Sequence, residues 1–314
     1  MERAFIDWLR RGQCRAPLPS LPVGIGDDAA VIRSLPSDNA DSSWILTTDA
    51  IADGTHFDAT RDSLEHIGRK AMAVNLSDLA AMAAIPRFAL VTFQLPQTFD
   101  LAECKRLYQA IEQMATRFDC RLIGGDTNRW DGKLVINVVA IGSPSPGPDG
   151  EPHLGRLNGG RAGDVVFVSG ELGGSLLGHH LTFTPRIELA KRLNRRYPIT
   201  ALTDISDSLA LDLAELASAS NAGFEIKATH IPISASAVEA ANERGTSPLE
   251  AALYDGEDFE LIVCIPPDQA DSVQADDDLG VKLSRIGRLT SKRECRLVDR
   301  TGTSRLLEVR GYDH

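Results

Sequence analysis

Arg69–Ala84, RKAMAVNLSDLAAMAA, reads as an alanine-, leucine- and methionine-rich helix that carries one carboxylate, Asp78, in its apolar middle. A lone buried carboxylate is costly. Asn75 lies one turn before Asp78 and shares its face, while Ile67, Ala71 and Val74 supply much of the apolar surface around the pair. Taken alone, an Asp78 facing solvent on an amphipathic helix is the simpler reading. The company it keeps argues otherwise, because GIGDDAA, TTDA, IGGDT and DISDS each bring further aspartates. Lys70 is too far along the helix to be the obvious partner of Asp78. Aspartates cannot neutralise one another, so a shared divalent cation is the economical account.

The chain around this helix has 314 residues, enough for two domains with their own cores. A hydrophobic content of 43% and a charged content of 25% fit a soluble globular protein. The net charge of -11 argues against an electrostatic grip on nucleic acid or an anionic membrane. Five scattered cysteines, Cys14, Cys104, Cys120, Cys264 and Cys295, form no C-x-x-C pair. Neither a zinc knuckle nor a disulfide framework is indicated, and reduced thiols in a cytoplasmic setting are expected. MERAFIDWLRRGQC lacks the apolar core of a signal peptide, and no segment approaches the ~18 apolar residues of a membrane span.

Outward from the helix, strands and helices alternate. Phe5 to Arg11 reads as a short helix followed by the extended connector PLPSLP. Strands are expected at Trp44–Ala50, delivering Asp49 at its end, at Phe88–Leu95, at Cys120–Thr127 running into a glycine-aspartate turn, and at Leu134–Gly142. Asp62 or Ser63 caps the central helix, and Leu101–Phe118 keeps a 3.6-residue period. SPSPGPDGEPHLG (Ser143 to Gly155) is the best linker, which places a domain boundary at 148/149. Beyond it, strands at Asp164–Gly170, GFEIKA, DFELIVCIP, KLSRIGRL, CRLVD and RLLEV alternate with helices near Arg186–Arg196, Ser206–Ser220 and Ser234–Arg244. Both halves are therefore α/β units.

Each acidic motif has a modest reading beside a chemical one. GIGDDAAVI (Gly24 to Ile32) superficially matches a dinucleotide fingerprint, but Asp27 and Asp28 would repel a pyrophosphate unless metal intervened. A metal loop is the stronger reading, an Asp-rich surface turn its equal. Thr47, Thr48 and Asp49 place oxygen donors suited to a hard cation at a strand end. His56 by spacing is an ordinary loop histidine, and adjacent His179 and His180 would diverge on a helix. Asp126 follows two glycines that permit close approach to a phosphate. Asp204 and Asp207 are read at a helix start, where unpaired amides already favour aspartate. Asp255, Glu257 and Asp258 read as a turn before a strand. No Walker A, kinase-loop or G-x-S-x-G signature is present, so a bound nucleotide would depend on metals.

GIGDDAAV, TTDAIADGTHF, KAMAVNLSDLAAM, IGGDTNR, DISDSLALDL, GEDFEL and the terminal GYDH, in this order and across nearly the whole chain, resemble the blocks of the thiamine-monophosphate kinase family. That family lies in the superfamily of aminoimidazole-ribonucleotide synthetase and selenophosphate synthetase. The resemblance implies an α/β (α+β) fold of two domains: residues 1–148 binding ATP and Mg²⁺ and forming a homodimer through a mixed sheet, and residues 149–314 as a second α/β domain. It implies several Mg²⁺ ions held by Asp28, Thr47, Thr48, Asp49, Asp78, Asp126, Asp204 and Asp207. Gly125, Asp126, Arg156 and Ser206 would contact ATP, and His56, Glu257 and Val309 the thiamine monophosphate. The implied reaction moves the ATP γ-phosphoryl group directly to the acceptor phosphate, with no general base. Alternatives are an amide-activating synthetase of the same superfamily and a non-catalytic Mg-nucleotide-binding protein. Three positions depart from the family pattern: Ala83 and Ser208 stand where glycine is usual, and Val309 where an aromatic is expected.

Overall fold

The computed structural model describes Val23, residues 27–33 and residues 43–312. The expected helix at Phe5–Arg11, its connector, Cys14, Gly24 and Gly26 lie outside the described residues. In chain order the elements are β1 (Ala30–Arg33), β2 (Ser43–Ala52), α1 (Leu64–Ala81), β3 (Ala84–Pro96), α2 (Leu101–Thr116), β4 (Arg121–Trp130), β5 (Val135–Pro146) and β6 (Pro152–His153). There follow β7 (Val165–Ser169), α3 (His179–Thr182), α4 (Ile187–Arg196), β8 (Ala201–Asp204), α5 (Leu209–Ala219), β9 (Gly223–Lys227), α6 (Ala235–Arg244) and α7 (Pro248–Tyr254). The chain closes with β10 (Leu261–Ile265), α8 (Ala270–Gln274), β11 (Leu283–Thr290), β12 (Cys295–Val298) and β13 (Ser304–Leu306).

The first sheet runs β1-β2-β5-β3-β4, with β6 added at the end of β5. It is mixed: β3 pairs parallel with β4, and the other neighbours are antiparallel. Period-two alternation divides its residues by face. Ile45, Thr47 and Ile51 of β2 and Ile136, Val138 and Ala140 of β5 are buried on the helix-covered face. On the other face Trp44, Thr48 and Leu90 are exposed, and Leu46, Val139 and Ile141 are only half-buried. The second sheet, β13-β12-β9-β11-β7-β10-β8, is antiparallel except where β12 pairs with β9.

Helix α1 lies between the two halves. It packs on β2, β3 and β5 and on α2, and it also touches α3, α4 and β8 of the second half. This explains its composition. From Lys70 to Ala81 every residue but Asp78 is buried, so the helix has no solvent face, and small alanines let neighbours approach from all sides. Ser63 caps it, its hydroxyl accepting from the His66 amide at 3.2 Å. One apolar core runs through it, from Val91 and Ile136 across Leu76 and Leu79 to Phe167 and Leu202. Removing Leu76 to alanine there would cost about 2–5 kcal/mol.

Three local expectations change. The glycine-aspartate segment is no turn, because β4 runs unbroken through Gly124, Gly125 and Asp126. Gly125 is needed for strand proximity: a Cβ there would stand 1.8 Å from the Val91 carbonyl oxygen. The proline-rich segment after Gly142 is no free linker either, since β5 extends to Pro146 and returns as β6, with Ser145 paired to His153. Finally, Asp204 closes strand β8, Asp207 lies in the following loop, and Ser208 rather than an aspartate caps α5, accepting from the Leu211 amide at 3.1 Å.

Candidate active site

Where α1 meets the ends of β2 and β8, the acidic motifs converge. Asp49 leaves β2 on the helix-covered face, its amide donating to Asn75 Oδ1 at 3.0 Å. Asn75 is itself fixed by donating to the Ala71 carbonyl at 3.1 Å. Asp78 accepts from the Thr47 hydroxyl, Asp204 from Ser77, and Asp28 from Thr203 at 3.1 Å. Each buried carboxylate thus has a hydroxyl on one side and another carboxylate close by. Asp49, Asp78, Ser206 and Asp207 line a cavity of about 200 Å³, closed by His56, Val74, Glu257 and Phe259.

The electrostatics of this row are those of mutually repelling anions. Burial first, then Asp204 and Asp27, push the Asp28 carboxyl well above its ordinary value. Burial followed by Asp49, Asp204 and Asp28 does the same to Asp78. Asp204 is raised to about 7 by burial, with Asp49 and Asp207 adding to it and the Ser77 hydrogen bond opposing. Asp28 Oδ2 is buried and has no hydrogen-bond partner among the described residues. A hard cation answers both the repulsion and the orphaned oxygen, and an all-oxygen donor set suits Mg²⁺. Among the described residues no three of these side chains close on one point, so the array is a row of carboxylates backed by hydroxyls rather than a finished chelate.

The loop that carries Ser206 and Asp207 is held from behind. The buried Asp212 carboxylate, one turn into α5, accepts from the amides of Ser206, Asp207 and Ser208 at 3.0, 3.1 and 3.0 Å. The C-terminal tail then crosses this loop: Ser208 donates to the Arg310 carbonyl at 2.9 Å and the Tyr312 amide to that of Asp207 at 3.0 Å. Ser208 therefore serves as helix cap and tail anchor at once.

Six of the eight candidate metal ligands come together: Asp28, Thr47, Asp49, Asp78, Asp204 and Asp207. The other two lie elsewhere. Thr48 points to the opposite face of β2, where its hydroxyl donates to the Val138 carbonyl at 3.1 Å. Asp126 sits on edge strand β4 opposite Thr92, its carboxylate bound by Asn128 at 2.6 Å. Next to it, Thr127 lines a second and larger cavity, about 500 Å³, with Phe93, Leu95, Leu107 and Tyr108. Arg156 lies beside Asp27 and carries a buried Nε without a partner among the described residues. Among the candidate substrate contacts, His56 and Glu257 line the acidic cavity, whereas Val309 is exposed on the tail. Tyr312, three residues on, reaches the His56 loop, donating to the Thr55 carbonyl at 3.3 Å.

Comparison with known proteins matches this architecture. The N-terminal domain model of the AIR synthase related proteins covers residues 26–143, and the C-terminal domain model covers residues 166–300. A curated relative from Rhodopirellula baltica, named thiamine-monophosphate kinase, is 40% identical across all of this chain and 97% of its own length. The chain belongs to the thiamine-monophosphate kinase family. A second member, from Bacillus subtilis, is 32% identical over 94% of each chain. Among solved structures, AaThiL complexed with AMPPCP and TMP superposes with a TM-score of 0.81 at 26% identity, covering all of this chain and 96% of that one. The family's two mixed α/β domains are those described above. No helix among the described residues is long and apolar enough to cross a membrane.

Proposed function

We propose that this chain transfers the γ-phosphoryl group of ATP to the phosphate of thiamine monophosphate, giving thiamine diphosphate and ADP. The observation that carries the reading is the convergence of Asp28, Asp49, Asp78, Asp204 and Asp207 where the two family domains meet. The names of the relatives and the AMPPCP and TMP bound in the related structure support the same donor and acceptor.

The acceptor is a phosphate monoester with a second pKa near ~6, so at neutral pH it is already a dianionic nucleophile and needs no general base. Repulsion between two phosphates is the obstacle. Mg²⁺ ions, when bound, supply charge neutralisation and in-line alignment. The chain's own part is to present Asp28, Asp49, Asp78, Asp204 and Asp207 as hard oxygen ligands, held by Thr203, Asn75, Thr47, Ser77 and Asp212. Asp126 is assigned to the same ion set from its place in the family pattern, with Gly125 beside the nucleotide; Thr48, whose hydroxyl faces the other side of β2, is not. Ser206 and Arg156 are assigned to the ATP phosphates. The apolar cavity beside Thr127 has the size and lining for the purine, with Tyr108 and Phe93 as its aromatic surfaces. His56 and Glu257 are assigned to the thiamine end. Tyr312 replaces Val309 as the ring placed to reach that end.

The domain limits are set at 1–148 and 149–314, and the active form is assigned as a homodimer through the uncovered face of the first sheet. Free Cys104, Cys120, Cys264 and Cys295 fit a reducing, cytoplasmic setting. Purified protein given ATP, Mg²⁺ and thiamine monophosphate is expected to yield thiamine diphosphate and ADP in equal amounts. ADP accompanied by free phosphate and no diphosphate would show ATP hydrolysis without transfer to thiamine monophosphate and would overturn the reading.

A further inference from the structure

Lys70 is a fully buried lysine on α1, two turns before Asp78. Its ammonium donates to Glu257 Oε1 at 2.7 Å, to Glu257 Oε2 at 2.9 Å and to the His56 carbonyl at 2.7 Å. Three donors meet three acceptor atoms, so its hydrogen-bonding capacity is filled. His56 belongs to the loop after β2 in the first half of the chain, and Glu257 to the turn before β10 in the second. One buried cation therefore ties together two segments that wall the cavity.

The Glu257 turn is not a conformation the chain adopts freely. Gly256 and Glu257 both have positive φ, +74 and +53, and the Glu257 amide donates to the Ser206 carbonyl at 2.7 Å. A non-glycine residue in the left-handed region requires surroundings that specify it. The Lys70 ammonium holds both Glu257 carboxylate oxygens and so fixes the side chain that this turn presents to the cavity. A Glu257 carboxylate so held, lining the cavity, suits an acceptor whose non-phosphate end is a cationic heterocycle bearing an amino group.

We propose that Lys70 is a positioning residue that sets affinity for the acceptor by fixing Glu257 and the His56 loop, without itself touching substrate. The inference rests on the kinase reading given above. It separates acceptor binding from the phosphoryl chemistry, because the three acceptors of the Lys70 ammonium all belong to Glu257 and His56.

The test is steady-state kinetics of the full chain and of Lys70→Met, Lys70→Gln and Lys70→Arg, varying thiamine monophosphate and ATP in turn. KM for thiamine monophosphate is expected to rise at least tenfold in Lys70→Met and by an intermediate amount in Lys70→Gln. Lys70→Arg should stay within threefold of the parent. Throughout the series, kcat and KM for ATP are expected to stay within threefold. Equal rises in both KM values, or an unmoved acceptor KM, would overturn the proposal. If Lys70→Met does not fold, the Gln and Arg variants decide it: the same acceptor KM in both refutes the role of the charge. A parent that forms no thiamine diphosphate refutes the kinase reading before any variant is compared, and this inference with it.

Discussion

Asp78 stands at the centre of the proposed site. It stands in the middle of a helix buried all round, backed only by the Thr47 hydroxyl and surrounded by Asp28, Asp49 and Asp204. Asp78→Asn keeps the shape and removes the charge that a cation needs. Turnover at ordinary Mg²⁺ is expected to fall at least a hundredfold, about 2.7 kcal/mol in the barrier, with unchanged circular dichroism. Activity within a few-fold of the parent would remove Asp78 from the site. Its place among other carboxylates was legible in the sequence because an aspartate in so apolar a helix has a cost that something must offset. Its helpers were not. Ser77, its neighbour, points about a quarter-turn round the helix and meets Asp204, 127 residues away. Lys70 and Glu257 are 187 residues apart. Asp212 did leave a signal, a carboxylate one turn after a Ser-Asp-Ser loop, since such a group gathers the unpaired amides at a helix start.

At the scale of elements, the end of α1 shows what a side chain costs in the left-handed conformation. The helix stops at Ala81, and Ala83, two residues on, has φ +50 in a fully buried site, with its carbonyl accepting from the Ser145 hydroxyl at 2.6 Å. Glycine is favoured in this conformation after a helix because it has no Cβ to clash. Ala83→Gly is expected to raise unfolding free energy by about 1 kcal/mol, seen as a higher denaturant midpoint with an unchanged slope. A lower midpoint would show that the alanine methyl contributes more packing than strain. Alternating apolar patterns made the strands of both halves readable. Glycine and proline misled in two places for one reason: an added strand partner can absorb them. Gly124 and Gly125 lie inside β4 because β3 passes close beside them, and the proline-rich segment folds back as β6.

For the whole molecule, two consequences follow from surface and charge. The uncovered face of the first sheet carries Trp44, Leu46, Leu90, Val139 and Ile141, an apolar surface of the kind that marks association. Sedimentation is expected to give a two-chain particle, and Val139→Arg, at the centre of that face, a monomer. A parent that stays monomeric at high micromolar concentration would rule the interface out.

The acidic row fixes how stability changes with pH. Asp28, Asp78 and Asp204 have folded values above the usual 3.8, Asp204 at about 7, so the Mg²⁺-free folded protein holds protons that the unfolded chain releases. For Asp204 that stabilisation is complete below 3.8 and is lost as pH rises through about 7. Melting temperature without Mg²⁺ should therefore fall from pH 5 to pH 8, and Asp204→Asn should flatten the fall. Mg²⁺ requires the deprotonated carboxylates, so its stabilising effect should grow with pH; an effect that shrinks would contradict the assignment. The most direct measurement of the central claim follows the label from ATP carrying 32P at the γ-position, incubated with the parent protein, Mg²⁺ and thiamine monophosphate. The account predicts label in the terminal phosphate of thiamine diphosphate; label recovered only as ATP or inorganic phosphate would contradict it.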